Sequence, residues 1–317
     1  MKDLKNQIIL APMAGITNEP FRISIKQTGV NVCFTEMVSV DGLSRGIKRT
    51  TEIVDIKREK PIIIPQLFGT DVNAFLKSVE LLLEKGFKII DINLGCPAKK
   101  IIKKGAGVAL MKNPDLIKII VYEIKKRFPV NLSAKLRLGF DEECMNYIEI
   151  VKMLYNEGID AITLHPRFGK QYYSGNANWY HIKVLKKRFP ELFIIGNGDV
   201  KTPEDIKKIF AYTNCDAVMI GRGFLENPFL YIQWQSFKSN GNYKRYYLKD
   251  KFEYFKKLFD LFVGFYGKEK AFKISIKHII HLSKGEKGAA KFREKISKIK
   301  NCVEFFNEIE YWVKNGR

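Results

Sequence analysis

Short apolar runs of four to seven residues recur along the first 220 residues of the chain. Runs of this length that are rich in β-branched residues are typical of buried strands. Most are followed by a segment with apolar positions every three or four residues, as in 74–83 and 116–124, and this rhythm indicates helices. Eight strands are therefore predicted, at 8–11, 30–36, 61–67, 87–93, 130–136, 159–164, 192–195 and 216–220.

Strands that alternate with helices form parallel sheets with crossover connections. Eight such units in about 230 residues are what a (β/α)₈ barrel, or TIM barrel, requires. The alternative is an open doubly wound sheet, but the first strand is not followed by the G-x-G-x-x-G signature of a dinucleotide-binding fold. The sequence thus favours an α/β fold built on a TIM barrel.

The alternation ends near residues 240–242, and the remaining chain is helical and aromatic in pattern. A small helical bundle is the simplest arrangement that would bury its apolar positions. We therefore predict a barrel domain at 1–240 and a C-terminal helical domain at 241–317. Two apolar helix faces are predicted in the tail, the first with Phe252, Phe255, Leu258, Phe259 and Phe262, and the second with Phe292, Ile296, Ile299, Val303 and Phe306.

Polar or small residues follow nearly every predicted strand. In a TIM barrel the carboxyl ends of the strands converge on one face, where catalytic residues are found. Eight segments rarely end this way by chance, although single residues such as Gln66 could have a structural role only. In strand order the residues are Pro12, Met13 and Ala14; Glu36 and Met37; Gln66; Asn93 and Cys96; Lys135 and Arg137; His165 and Arg167; Asn197, Gly198 and Asp199; and Gly221, Arg222 and Gly223.

Two features of these strand ends point to a bound anion. The last two ends are glycine-rich, and the corresponding loops of TIM barrels often bind phosphate, although glycines also simply form turns. Arg222 could add a charge-assisted contact there. Lys135 would be an expensive buried cation unless an anion faced it, and a flavin would suit, because a nearby cation stabilises its reduced, anionic form.

Cys96 lies on a loop with Gly95, Pro97 and four lysines, directly after a predicted strand. Most free cysteines are small, buried apolar residues, and this is the alternative to a chemical role. The position at the carboxyl end of a barrel strand favours chemistry. Cys96 is therefore the candidate catalytic residue.

Lysine and arginine outnumber acidic residues by 55 to 34, which gives a net charge of +21. Such an excess indicates a polyanionic partner, with nucleic acid the first candidate and an anionic membrane surface the second. A genome that encodes lysine-rich proteins in general is the alternative explanation. Residues 268–300 hold 11 basic and 3 acidic residues, so contact with RNA or DNA is predicted for the tail.

No apolar run is long enough for a membrane span, and the N-terminal residues lack the apolar core of a signal peptide. The five cysteines are widely spaced and include no C-x-x-C pair, which argues against a disulfide framework and a zinc site. A cytoplasmic location is therefore expected. The sequence indicates no obligate protein partner, and a monomer is the working expectation.

The strand-end motifs also form a recognisable set. The chain opens with A-P-M-A-G-I-T followed by P-F-R, and it carries N-L-G-C-P at 93–97 and G-A-G at 105–107. P-Q-L, K-L-R, H-P-R, G-N-G-D and G-R-G occur at the other strand ends. As a set these motifs resemble the tRNA-dihydrouridine synthase family across nearly the whole barrel. The run G-C-P-A-K-K is most similar to the bacterial B-type branch.

The resemblance implies an FMN enzyme that reduces the C5=C6 bond of specific uridines in tRNA to 5,6-dihydrouridine, with NADPH as the reductant. Hydride would pass from flavin N5 to C6, and Cys96 would donate the proton to C5. A thiol suits this role, because its ordinary pKa of about 8.5 leaves it protonated at neutral pH. The lysines after Cys96 would favour the thiolate, and we expect them to face RNA phosphate instead.

The resemblance also implies roles for the other strand-end residues. Flavin contacts are implied for Pro12, Met13, Ala14, Gln66, Lys135 and His165, and phosphate contacts for the backbone of Asn197, Gly198, Asp199, Gly221 and Arg222. Substrate contacts are expected from Asn93, Arg137, Arg167, Lys99 and Lys100, with Arg137 also able to contact the flavin. The helical tail lies where the family has its RNA-binding domain, so tRNA is the predicted partner.

Some positions depart from the family pattern. Asn18 stands where Asp is usual, Pro166 where Gly is usual, and 168–170 replaces a common Thr-Arg. These departures leave open which uridine is modified. Two alternative functions also stay open, namely an FMN oxidoreductase acting on a free pyrimidine, similar to dihydroorotate dehydrogenases, and an RNA-binding protein with an inactive barrel.

Overall fold

The computed structural model describes residues 1–56 and 62–315. Pro61, the predicted first residue of the third strand, lies outside this range, as do residues 316–317 at the end of the predicted tail domain. Within the described residues, no helix is long and apolar enough to cross a membrane.

Eight parallel strands close into a barrel in which each strand pairs with the next and the eighth pairs with the first. This confirms the predicted TIM barrel, and every observed strand overlaps its predicted counterpart. The strands are β1 Ile8–Leu10, β2 Val32–Ser39, β3 Ile62–Phe68, β4 Ile89–Leu94, β5 Asn131–Leu136, β6 Ala161–Leu164, β7 Phe193–Asn197 and β8 Ala217–Ile220.

Helices follow the strands and continue into the tail. Local signals explain several of their starts: Asn18, Asp71 and Asn113 each accept a backbone N–H in the first turn of the helix that they cap. The helices are α1 Glu19–Lys26, α2 Val40–Ser44, α3 Lys48–Thr51, α4 Val72–Glu84, α5 Lys99–Ile102, α6 Pro114–Arg127, α7 Tyr147–Asn156, α8 Tyr180–Arg188, α9 Pro203–Thr213, α10 Arg222–Glu226, α11 Leu230–Asn240, α12 Leu248–Tyr266, α13 Lys268–Leu282, α14 Ala289–Lys298 and α15 Cys302–Asn315.

The register of β4 against β5 decides which side chains meet inside the barrel. Asp91 lies opposite Ser133, and Asn93 lies opposite Lys135. Because alternate residues of a strand point to the same face, these four side chains share one face of the two strands. Deeper in the barrel, the corresponding positions are filled by an apolar cluster that includes Ile9, Val32, Phe34, Ile64, Ile195 and Met219.

The described chain forms two compact units. Of the described residues, those within 1–14, 31–200 and 204–220 form the barrel unit, and those within 15–30, 201–203 and 221–315 form the helical unit. The helical unit therefore includes α1 and the segment from α10 onward. The predicted domain boundary at residue 240 remains a prediction.

Within the helical unit, the first predicted apolar face is confirmed, because all five of its residues are buried on α12. The prediction that the second apolar face lies on a single helix was wrong. α14 ends at Lys298, Ile299 takes an extended conformation, and Val303 on α15 is 68% exposed. The Asn301 side chain accepts the Glu304 N–H at 2.8 Å, which marks the start of a new helix.

Candidate active site

The loop after β4 presents Cys96 in a half-buried position. The Asn93 side-chain oxygen accepts the backbone N–H groups of Gly95 at 3.2 Å and Cys96 at 2.9 Å. Val108 donates its N–H to the Cys96 carbonyl at 3.1 Å. A Cβ at Gly107 would lie 2.6 Å from that carbonyl, so glycine is required for the loop to fold back this closely.

Burial raises the pKa of the Cys96 thiol above its ordinary value. The Ala98 backbone and the cations Arg137 and Lys135 oppose this rise. Lys99 and Lys100 are exposed on α5. The net effect keeps Cys96 protonated at neutral pH, which is the form that a proton donor needs.

A chain of hydrogen bonds runs from the Cys96 loop into the barrel. Asn93 donates its amide N–H to the Gln66 side-chain oxygen at 2.6 Å, and Gln66 donates to the Asp91 carboxylate at 2.7 Å. Ser133 donates its hydroxyl to the other Asp91 oxygen at 2.6 Å. Sequence reasoning assigned no role to Asp91 or Ser133, although the period of two in β4 and β5 places them beside residues that it did select.

Gln66 was predicted to contact the flavin. It is fully buried, and its amide group is already bonded to Asn93 and Asp91. The direct flavin contact therefore remains a prediction, whereas its contact with Asn93 is a feature of the structure.

Lys135 lies near the carboxyl end of β5 and is half-buried. Burial, and after it the nearby Arg137, lower the pKa of Lys135 from 10.5 to about 8, while Asp91 and Cys96 oppose the shift. Among the residues that the structure describes, its ammonium has no hydrogen-bond or ion-pair partner. A cation in this state is suited to an anionic ligand, so the residues present fit the anionic form of a flavin.

His165 and Arg167 follow β6, and the structure brings them together. The Arg167 guanidinium is 1% exposed and donates to Asp199 at 2.6 Å, to the Gly175 carbonyl at 2.6 Å and to the Ser174 carbonyl at 3.3 Å. It also lies 3.0 Å from His165 Nε2, which must accept because arginine only donates. Most of its donors thus hold the loop after β6, and the predicted contact with uracil remains a prediction.

Arg137 lies at the carboxyl end of β5. It donates to the Phe168 carbonyl at 2.6 Å, and its guanidinium carbon lies 5.5 Å from the centre of the Tyr173 ring. That ring is 54% exposed and lies 6.3 Å from the His165 ring. No role was predicted for Tyr173 from the sequence, but an exposed aromatic ring beside two site residues can offer a surface for stacking.

The remaining predicted residues follow β1, β7 and β8. Pro12 and Met13 are half-buried and Ala14 is exposed, so this segment is accessible. Gly198 has φ +120°, and a Cβ there would meet His165 and Ala177 within 3 Å. Asn197 donates to the Met219 carbonyl at 2.8 Å, and Asp199 pairs with Arg167. Phosphate contacts by this loop stay a prediction, as do those by Gly221 and Arg222, which belong to the helical unit.

The family model described as dihydrouridine synthase matches residues 9–315. This chain belongs to the dihydrouridine synthase family. It is 35% identical over 314 residues to tRNA-dihydrouridine synthase B of Pasteurella multocida, a match that covers 96% of this chain and 94% of the relative. It is 32% identical over 318 residues to the protein of the same name from Shewanella oneidensis, covering 98% and 96%. The predicted family and its B-type resemblance are confirmed.

Among solved structures, a 2-naphthoyl-CoA reductase bound to 2-naphthoyl-CoA matches with a TM-score of 0.55 and 14% sequence identity. The match covers 74% of this chain and 50% of the reductase. At this identity the likeness shows the shared fold alone.

Proposed function

We propose that this protein reduces the C5=C6 bond of specific uridines in tRNA to 5,6-dihydrouridine, with FMN as its cofactor and NADPH as the reductant. The observation that carries the proposal is the position of Cys96, which a hydrogen-bonded loop holds at the carboxyl end of β4, where burial raises the pKa of its thiol. Family membership supports the same activity, because relatives of this chain are named tRNA-dihydrouridine synthases.

When bound, FMN supplies the hydride that is added to C6 of the uracil ring. Lys135 supports this cofactor, since an anionic flavin would contact an ammonium that has no hydrogen-bond or ion-pair partner among the described residues. Lining contacts are proposed for Pro12, Met13, Ala14, Gln66 and His165, and phosphate contacts for the backbone of Asn197, Gly198 and Asp199.

Cys96 provides the proton that completes the reduction. Hydride addition at C6 leaves negative charge at C5 and O4 of the uracil, and C5 must then be protonated. Because burial raises the pKa of Cys96, the thiol carries its proton at neutral pH and needs no neighbouring base. Asn93 is bonded to the same loop, and with Arg137 and Arg167 it is proposed to hold the uracil edge.

The target uridine must leave its base stack to reach a site at a strand end, which costs a few kcal/mol. Contacts to tRNA phosphates can offset this cost. They are proposed for Lys99, Lys100 and the basic tail, by which we mean residues 268–300. The proposal thus assigns the chemistry to the barrel and most of the affinity to basic surfaces.

Replacing Cys96 with alanine tests the proposal. Cys96→Ala should retain the flavin absorption spectrum and NADPH oxidation, because it removes neither Lys135 nor the loop glycines. Loss of the proton donor should slow dihydrouridine formation by at least about 10²-fold. The measurement is a single turnover, in which reduced protein is mixed with unmodified tRNA and the dihydrouridine formed is quantified.

Cys144→Ala is the matched control, because Cys144 is exposed on a short 3₁₀ helix elsewhere in the barrel unit and should have no effect. An unchanged rate in Cys96→Ala would remove Cys96 from its role. Full activity of the wild type on free uracil or orotate, with none on tRNA, would support the free-pyrimidine alternative instead.

A further inference from the structure

Asp91 is a fully buried carboxyl group in the middle of β4. Burial raises its pKa from 3.8 to about 6, while Ser133, Gln66 and Lys135 oppose the rise. The group is therefore mostly ionised at neutral pH, and ionisation in the barrel interior is costly. An apolar or amide side chain at this position would avoid that cost, so the presence of a buried charge indicates that the charge has a role.

A chain of hydrogen bonds runs in one direction from the Cys96 loop to Asp91. The Cys96 N–H donates to Asn93, Asn93 donates to Gln66, and Gln66 donates to Asp91. Each amide is thus oriented with its oxygen toward Cys96 and its nitrogen toward Asp91. A carboxylate can only accept, so an anion at the inner end fixes and strengthens this head-to-tail order.

Asp91 also lies close to Lys135 in the register of the two strands. The β4–β5 register pairs Asp91 with Ser133 and Asn93 with Lys135, so the carboxylate and the ammonium lie on one face, one pair apart. The charged and titratable groups that act on Lys135 are Arg137, Asp91 and Cys96. Arg137 repels the ammonium, whereas Asp91, which is mostly ionised at neutral pH, favours its protonated form.

We infer that Asp91 is a positioning residue whose carboxylate both anchors the hydrogen-bond chain to the Cys96 loop and serves as the counter-charge of Lys135. Asp91 acts through Asn93, Cys96 and Lys135 rather than on the substrate. The inference rests on the proposed function in so far as Lys135 binds FMN, but its effects on Cys96 and on stability can be measured without a cofactor.

The test compares Asp91→Asn, which keeps the shape but removes the charge, with the wild type. The pH at which FMN affinity has fallen to half should be about one unit lower in Asp91→Asn, because Lys135 loses its proton more readily without the carboxylate. FMN affinity is measured by quenching of flavin fluorescence. The melting temperature at pH about 8 should stay equal or rise, because the variant no longer buries a charge.

The cofactor-free arm measures alkylation of Cys96 by iodoacetamide from about pH 7 to pH 10. Cys144→Ser and Cys302→Ser are introduced in all proteins, and Cys33 and Cys215 are buried, so Cys96 is the thiol that reacts. Lys135 has largely lost its proton above pH 8, and the thiol ionises above its ordinary pKa of about 8.5, so Lys135 does not set this midpoint. Loss of an anion from the inner end of the hydrogen-bond chain favours the thiolate, and the alkylation midpoint of Asp91→Asn should therefore move to lower pH. Both midpoints thus shift to lower pH.

Asp160→Asn is the matched control. Asp160 accepts the Leu132 N–H at 2.7 Å and pairs with Lys125 at 2.9 Å before β6 begins, so this variant should melt at lower temperature with both midpoints unchanged. The same behaviour in Asp91→Asn would overturn the inference.

Ser133→Ala is the second variant if Asp91→Asn does not fold. It removes a hydrogen bond that favours the ionised form of Asp91, so it should shift both midpoints in the same directions by less. The absence of any shift in Ser133→Ala would be equally decisive. Failure of the wild type to bind FMN would refute the proposed function, while the alkylation arm would still test Asp91.

Discussion

The pKa of Lys135 leads to a prediction about the pH dependence of FMN binding. Its folded-state pKa lies at about 8 rather than 10.5, because burial and Arg137 disfavour the ammonium. The cation is therefore present below pH 8 and is lost as the pH rises through that value. We predict that FMN affinity of the wild-type protein falls as the pH rises through about 8, as measured by fluorescence titration at fixed ionic strength.

Lys135→Met provides the comparison, since it keeps the length of the side chain without the charge. Its FMN affinity should be weaker at neutral pH and should not change over the same pH range. A wild-type affinity that is constant across this range would show that Lys135 does not contribute its charge to the flavin.

Sequence reasoning at the residue scale found the side chains that end the strands, because each lies in a local motif. It did not find the partners of those side chains. Asp91 supports Asn93 through Gln66, and this contact depends on the register between strands 25 residues apart in the chain. Arg167 was expected to face the substrate, yet it pairs with Asp199. The two residues are 32 positions apart in the sequence, and no local pattern specifies their contact.

At the scale of the elements, the eight strands were predictable because buried parallel strands are continuous apolar runs. The exact ends of the strands were less predictable, since local turns and helix caps determine where each strand stops. The second tail face failed for a related reason. Its apolar spacing continues across the break between α14 and α15, so the spacing alone predicted one helix. The local signal for the break is Asn301, which caps the start of α15.

Helix α13 leads to a prediction about acid stability. His278 is buried on this helix between the rings of Phe21 and Phe262, and its Nε2 has no partner among the described residues. Burial, followed by His281 and Lys277, lowers the pKa of His278 from 6.5 to about 3. The neutral form is favoured in the folded state, so stability is full above pH 6.5 and falls as the pH decreases toward the folded pKa.

We expect His278 to cost roughly 3 kcal/mol of unfolding free energy between pH 6.5 and pH 4. His278→Leu should lose most of this pH dependence, because leucine does not titrate. Denaturant unfolding of both proteins at several pH values, followed by circular dichroism, measures the difference. Parallel stability curves for the two proteins would contradict the assignment.

The net charge of +21 is a property of the whole molecule, and we predict from it that tRNA binding depends strongly on salt. Each phosphate that a lysine or arginine neutralises releases counterions, so the logarithm of affinity falls linearly with the logarithm of salt concentration. For about five phosphate contacts the slope should be on the order of −4. Filter binding to unmodified tRNA from low to moderate salt measures it, and a flat response would contradict an electrostatic interface.

Paired variants separate local contacts from total charge. Lys291 and Lys300 are exposed in the basic tail, whereas Lys77 and Lys85 are exposed at helix α4 of the barrel unit. Either pair of Lys→Gln changes lowers the net charge by two. If the tail contacts phosphate, the tail pair should reduce the magnitude of the slope by about two and weaken binding, while the α4 pair should have little effect. Equal effects would mean that the charge acts as a general field, in which case the tail would lose its proposed role as the tRNA-binding surface.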